Sequence, residues 1–210
     1  MSVLDKLSSS LKTRVQVPNQ ELAKQIVKKN DKKAIVELVE NLDNKNKTLQ
    51  GDCIKTLHEI GELKPALIAG YAKDFIKQLD SKNNRMQWGA MCALDAITED
   101  NLKLIYSSLL KLLDVAEKGS VITNDHFVRI LTKLCKEKSY YKNVFPILLE
   151  QIKKSPVNQL PMYVEVAAEV VNDSSKSVFL KTVESRMKDV EQESKRKRLL
   201  KVIKIIGGKK

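Results

Sequence analysis

Between Met86 and Ile97, apolar residues fall at Met86, Ala90, Ala93, Leu94 and Ile97, the spacing of one face of an α-helix. Small residues on this stripe admit a second helix backbone at close range. Arg85, Trp88, Cys92 and Asp95 take the opposite face. So short a helix needs neighbours to be stable, and the rest of the chain supplies them in the same pattern. Val3, Leu4, Leu7 and Leu11 mark a short amphipathic helix. After Pro18, Asn19 reads as the N-cap of a helix carrying Leu22, Ala23, Ile26 and Val27. Asp31 caps the next, with Ile35, Leu38, Val39 and Leu42 inward. A turn at Asp43–Asn46 leads to its partner through Cys53, Leu57 and Ile60, with Gly61 near the C-terminus.

The alternation continues to the end of the chain. A second pair starts near Pro65, runs through Phe75 and Leu79, turns at Asp80–Asn84 and closes with the Met86–Ile97 stripe. Leu102, Ile105, Leu109, Leu112 and Leu113 begin a third, separated by Gly119-Ser120 from Phe127, Ile130, Leu131 and Leu134. Val144, Phe145, Leu148, Leu149 and Ile152 begin a fourth. Pro146 lies inside that stripe, in a first turn or at a kink. Pro156 and Pro161 bracket the turn before Val164, Ala167, Ala168 and Val171. A last pair covers about 175–187 and about 193–206, and Gly207–Lys210 reads as a frayed tail.

A shift of about 37 residues, a period typical of helical-hairpin repeats, superposes these pairs. Leu57 and Ile60 fall on Leu94 and Ile97, then on Leu131 and Leu134, then on Ala168 and Val171; Gln50 falls on Gln87. The reading is all-α: an α-α superhelix of about five helical hairpins, with residues 1–30 as an N-terminal helical cap and 31–210 as the array, one structural domain overall. Leu79-Asp80 closing one helix and Met86–Ile97 forming the next resemble the HEAT-repeat family. HEAT units place an aspartate in the turn and a Val-Arg…Ala…Ala-Leu pattern in the second helix. Here the arginine position holds Gln87, and Gln50 in the preceding unit.

Composition adds little to the fold and something to the surface. Aromatics are 5% of the chain, so the core is mostly aliphatic, and 7 Gly with 5 Pro fit long helices and short turns. The formal net charge is +12, much of it between Arg186 and Lys210, where ten basic residues face three acids. Such a surface favours nucleic acid or acidic partners over neutral ones. Cys53, Cys92 and Cys135 are far apart and form no C-x-x-C pair, so neither a disulfide framework nor a zinc cluster is signalled. Isolated thiols fit a reducing compartment. With no signal-peptide-like start or transmembrane stretch, the expectation is a cytoplasmic protein, or a nuclear one in a eukaryote.

No catalytic motif, cofactor motif or metal-ligand pattern is found. His58 and His126, the two histidines, read as ordinary helix-surface residues on different units. The HEAT resemblance implies that second helices line a concave face, which would display Trp88, Cys92, Asp95, Lys55 and Arg129. A lone Trp beside mixed charge suits a partner-binding anchor. HEAT-like DNA glycosylases for alkylated bases instead place a tryptophan and an aspartate one turn apart, with an arginine nearby. Here Cys92 follows Trp88, Asp95 is off that spacing and Arg129 lies one unit on, so the resemblance implies no base excision. Lys195, Arg196, Lys197, Arg198, Lys201 and Lys204 form a basic patch on the last helix, expected to pack through Leu199, Leu200, Ile203 and Ile206. The expected function is a non-enzymatic scaffold for another protein, without cofactor, metal or membrane; weak nucleic-acid binding through the basic end is the alternative.

Overall fold

The computed structural model describes residues 2–208, and among them every regular element is helical. Compactness divides the chain into two units, Met1–Phe127 and Val128–Lys210. The first unit holds α1 (Val17–Lys29), α2 (Lys32–Glu40), α3 (Lys47–Leu63), α4 (Ala72–Gln78), α5 (Asn84–Ala96), α6 (Leu102–Ser107) and α7 (Leu109–Lys118). The boundary falls inside α8 (Val121–Cys135). The second unit continues with α9 (Lys138–Lys154), α10 (Leu160–Ala168), α11 (Asp173–Met187) and α12 (Glu193–Gly208).

In the first unit α2 packs on α3 and α4 on α5, while α1, α3 and α5 stack in succession as an inner layer. In the second, α9 packs on α10 and α11, and α12 packs on both α10 and α11. Leu57, Ile60, Leu94, Ile97, Leu131 and Leu134 are all fully buried, so three repeats keep the register read from the sequence. The fourth slips. Ala168 and Val171 are half-exposed, and the buried pair is Val164 and Ala167. Helix α10 ends at Ala168, so Val171 lies beyond it.

The polar residues at each turn explain why the register holds. Asn46 and Asn83 cap α3 and α5, accepting from the backbone N–H groups of Thr48 and of Arg85 at 3.0 and 3.1 Å. Gln50 donates to the Leu42 carbonyl at 2.7 Å, and Gln87 donates to the Leu79 carbonyl at 3.2 Å. Those carbonyls end the preceding elements and have no intrahelical donor. The glutamines thus fasten each second helix to the end of the first. The turn aspartates act one repeat on: Asp43 accepts from Lys77 and Gln78, and Asp80 from Lys111.

The N-terminal segment departs from expectation. A 3-10 helix at Val3–Lys6, capped by Ser2, replaces the amphipathic helix. Leu7 is buried, but Leu11 points to solvent. Asn19 is no N-cap; it lies inside α1, wholly buried. Its Oδ1 accepts from the Ser8 backbone N–H at 2.9 Å, and its Nδ2 donates to Gln16 and to Asp52 Oδ1, each at 3.0 Å. Asp52, on α3 and 1% exposed, also accepts from the Ser9 N–H at 2.7 Å and from Arg85 Nη2 at 3.0 Å. One carboxylate therefore ties the N-terminal turn, α1 and α5 to α3.

Elsewhere the differences are local. Residues 65–71 form two 3-10 turns before α4, and the third unit's first helix is interrupted at Ser108 between α6 and α7. Pro146 sits well inside α9, on its exposed side, which excludes the first-turn alternative. On α12 the buried residues are Leu199, Val202 and Ile206, while Leu200 is exposed and Ile203 half-exposed. Gly207 and Gly208 belong to α12; Lys209 and Lys210 of the expected tail lie outside the described residues.

Asp52→Ala should lower the stability of the chain by about 3 kcal/mol or more in denaturant unfolding, because it strands Asn19 and a partly buried guanidinium. Asp52→Asn should recover part of the loss. Wild-type stability in Asp52→Ala would show that the network is dispensable.

Candidate partner-binding surface

Two glycines set the spacing of the surface on α3 and α5. A Cβ on Gly89 would stand 2.7 Å from Ile54 Cγ1, so only glycine lets α5 approach α3 this closely. A Cβ on Gly51 would stand 2.9 Å from Arg85 Cδ; the bare backbone is where the Arg85 side chain lies on its way to Asp52. At this spacing, side chains of α3 reach Trp88 on α5. The Lys55 ammonium stands 5.8 Å from the centroid of the Trp88 ring, and the His58 ring is 5.5 Å away at a tilt of 54°. Lys55 is also paired with Glu59, which accepts from Gln20 on α1 at 3.2 Å. Trp88 is half-buried, with its Nε1 enclosed and without a hydrogen-bond acceptor.

Around the indole the charges are fixed. His58, expected on a surface, is 4% exposed, and neither ring nitrogen makes a hydrogen bond; Glu59 Oε1 lies 3.8 Å from its Nε2. Burial, then the Lys55 charge, push its pKa down to about 3, so His58 is neutral near pH 7. Burial of Glu59 opposes its ionisation, but the hydrogen bonds from Lys55 and Gln20 outweigh it and hold the carboxyl below its ordinary value.

The five expected surface residues do not form one face. Trp88 and Lys55 meet as described. Cys92 and Asp95 are 2% and 6% exposed, which removes them from any surface. Burial raises the Cys92 thiol to about 12, as it does Cys53 and Cys135, so all three stay protonated. Asp95 Oδ2 is 2.7 Å from His126 Nδ1. Arg129 is exposed and belongs to the second unit. The sequence reading missed Gln16, Gln20, Asp52, His58 and Glu59. The shift of about 37 residues also superposes His58 on Asp95, which was the available signal that both face a neighbouring helix. Among the described residues, no three His, Cys, Asp or Glu side chains gather as metal ligands.

The basic patch is largely committed within the chain. Arg198 makes a two-pronged pair with Glu165, Lys197 pairs with Glu193, and Lys195 donates to Asn158. Arg196 donates to the carbonyls of Val190 and Met187. Lys201 and Lys204 make no such bond among the described residues. Among the described residues, no helix is long and apolar enough to cross a membrane.

No family model and no curated protein matches the sequence. Solved structures do. A computationally designed armadillo repeat protein for modular peptide recognition is similar at TM-score 0.69 and 15% identity, over 96% of this chain and 97% of that one. A designed armadillo repeat protein in complex with the peptide (KR)4 gives 0.67 and 15%, over 96% and 98%. An engineered protein gives 0.65 and 15%, over 99% and 98%. At this identity the likeness concerns the fold: the chain is an α-α superhelix, a helical repeat solenoid of the armadillo type.

The neutral His58 gives the cluster a pH signature. Its folded pKa lies below the ordinary 6.5, so between 6.5 and about 3 the unfolded chain binds a proton that the folded chain does not. The stability it contributes is complete above 6.5 and lost as pH falls. Glu59, with its lowered pKa, loses its contribution only below the ordinary carboxylate value of 4.5. Denaturant unfolding at about pH 7.5 and about pH 5 should show a loss that shrinks in His58→Phe. An undiminished loss in that variant would remove His58 as its source.

Proposed function

We propose that the chain is a non-catalytic repeat scaffold that binds another protein, with Trp88 as an anchor. The observation that carries the reading is the half-buried indole of α5, held against the Lys55 ammonium and the His58 ring of the close-packed α3. A rigid, partly apolar side chain in a supported position loses little entropy on binding and dominates many interfaces. Solved structures of the same fold include one designed for modular peptide recognition, which supports a scaffold for this chain. Cys92 and Asp95 contribute by packing beneath the surface. We assign the repeats to the HEAT-like kind on their turn aspartates, Asp43 and Asp80, and the chain to the cytoplasm.

Two other readings fare worse. Base excision needs a carboxylate beside the tryptophan to stabilise a developing sugar cation. The position one turn on holds a buried thiol, and Asp95 is enclosed against His126. Nucleic-acid binding through α12 would draw on a patch most of whose cations are already bonded within the chain.

Trp88 is the single tryptophan, so its fluorescence reports the site directly. Partial quenching by iodide in the free chain, and protection by a bound protein, are expected. Trp88→Ala should weaken a partner recovered by pull-down by about tenfold, ~1.4 kcal/mol, with a smaller change in stability. Equal capture by Trp88→Ala, or capture abolished by nuclease, would refute the reading.

A further inference from the structure

The turn before α1 presents a second surface, and it carries chemistry the Trp88 cluster lacks. Leu11, Val15 and Val17 are 55–59% exposed, although each is a large aliphatic side chain. Lys12 and Arg14 stand between them, both exposed, and neither makes an ion pair among the described residues. From Lys6 to Gln20 the chain has three cations and no acid.

The turn is held in shape. Lys12 has a φ of 56°, in the left-handed region that a lysine seldom enters. The Thr13 N–H donates to the Ser8 carbonyl at 3.0 Å and the Lys12 N–H to the Ser9 carbonyl at 3.1 Å. The Ser9 N–H is fixed on Asp52, whose buried carboxylate also holds Arg85. Gln16, between the two exposed valines, accepts from Arg85 Nη2 at 3.0 Å, and Arg85 precedes Trp88 by one turn of α5. The turn and the indole thus share one support.

We propose that this turn, Leu11–Val17, docks an acidic protein segment with interleaved apolar side chains, extending the site anchored at Trp88. The inference rests on the scaffold reading and names the chemistry of the partner. Unpaired cations select carboxylates and repel basic segments. The three aliphatic side chains favour a polypeptide over a nucleic acid, because a phosphate backbone meets cations but offers aliphatic groups nothing, and the turn has no aromatic on which a base could stack. Because the turn is already ordered, docking costs little chain entropy.

The test is calorimetric titration of the full chain at physiological salt with a peptide alternating Glu and Leu, matched in length to (KR)4, and with its Lys-for-Glu counterpart. The acidic peptide should bind about tenfold more tightly or better than the basic one. Two double variants, Lys12→Gln with Arg14→Gln and Leu11→Ser with Val15→Ser, should each lose about tenfold in affinity at an unchanged melting temperature. Changing Lys195, Arg196, Lys197 and Arg198 to Gln should leave binding intact. Equal binding of both peptides, no binding of the acidic one, or full affinity in both double variants would overturn the proposal. So would a DNA duplex that displaces the acidic peptide and loses affinity in the same variants. A partner protein lost by Trp88→Ala but retained by both double variants would sink this inference and leave the scaffold reading standing.

Discussion

A single buried carboxylate, that of Asp52, organises the first unit. A charge with almost no access to water is tolerable only if it is hydrogen-bonded and paired. Asp52 meets that demand with donors from three places: the Ser9 backbone, the Asn19 amide and the Arg85 guanidinium. Each donor fixes a different segment against α3. The Asn19 contact seats α1, which brings Gln20 to Glu59. Glu59 then holds Lys55, and Lys55 lies over Trp88. The position of the indole is thus a downstream result of how one buried anion is neutralised.

Within each of the first two repeats the helices are fastened by hydrogen bonds that are neutral and local. Gln50 and Gln87 reach carbonyls that a helix end leaves without donors, a satisfaction required wherever such a group is shielded from water. The ion pairs from Asp43 to Lys77 and from Asp80 to Lys111 lie at the surface, where such pairs contribute little. At the next position of the glutamine column stands Asn124, shorter by one methylene, with its buried Oδ1 unpartnered among the described residues. The glutamine fastening is seen in the first two repeats, at Gln50 and Gln87.

What the sequence made legible was whatever depends on local period. The stripes through Leu57, Leu94 and Leu131 placed the helices, and the matched glutamines placed the register. The slip in the last column was hidden because Val164, Ala167, Ala168 and Val171 are all small and apolar, so either frame fits a helix. The buried polar network was hidden for another reason. Asn19, Asp52 and His58 sit on faces that look solvated within their own helices, and they are covered by a helix one repeat away. Polar identity reports what a side chain needs, while its supplier is set by the stack. Trp88 and Lys55 were found together because both keep part of their side chains in reach of solvent; Cys92 and Asp95 were misplaced because both are buried.

The two glycines bear on how far the repeats are interchangeable. In the repeat register Gly51 stands opposite Trp88, and Asp52 opposite Gly89. A duplication that replaced the first repeat with a copy of the second would set an indole where Arg85 crosses bare backbone, and would delete the carboxylate at which Arg85 ends. The reverse exchange would put an aspartate against Ile54 and remove the indole. The units share a period and have divided their labour, so neither of these two repeats can be replaced by a copy of the other without losing the N-terminal anchorage or the half-buried tryptophan.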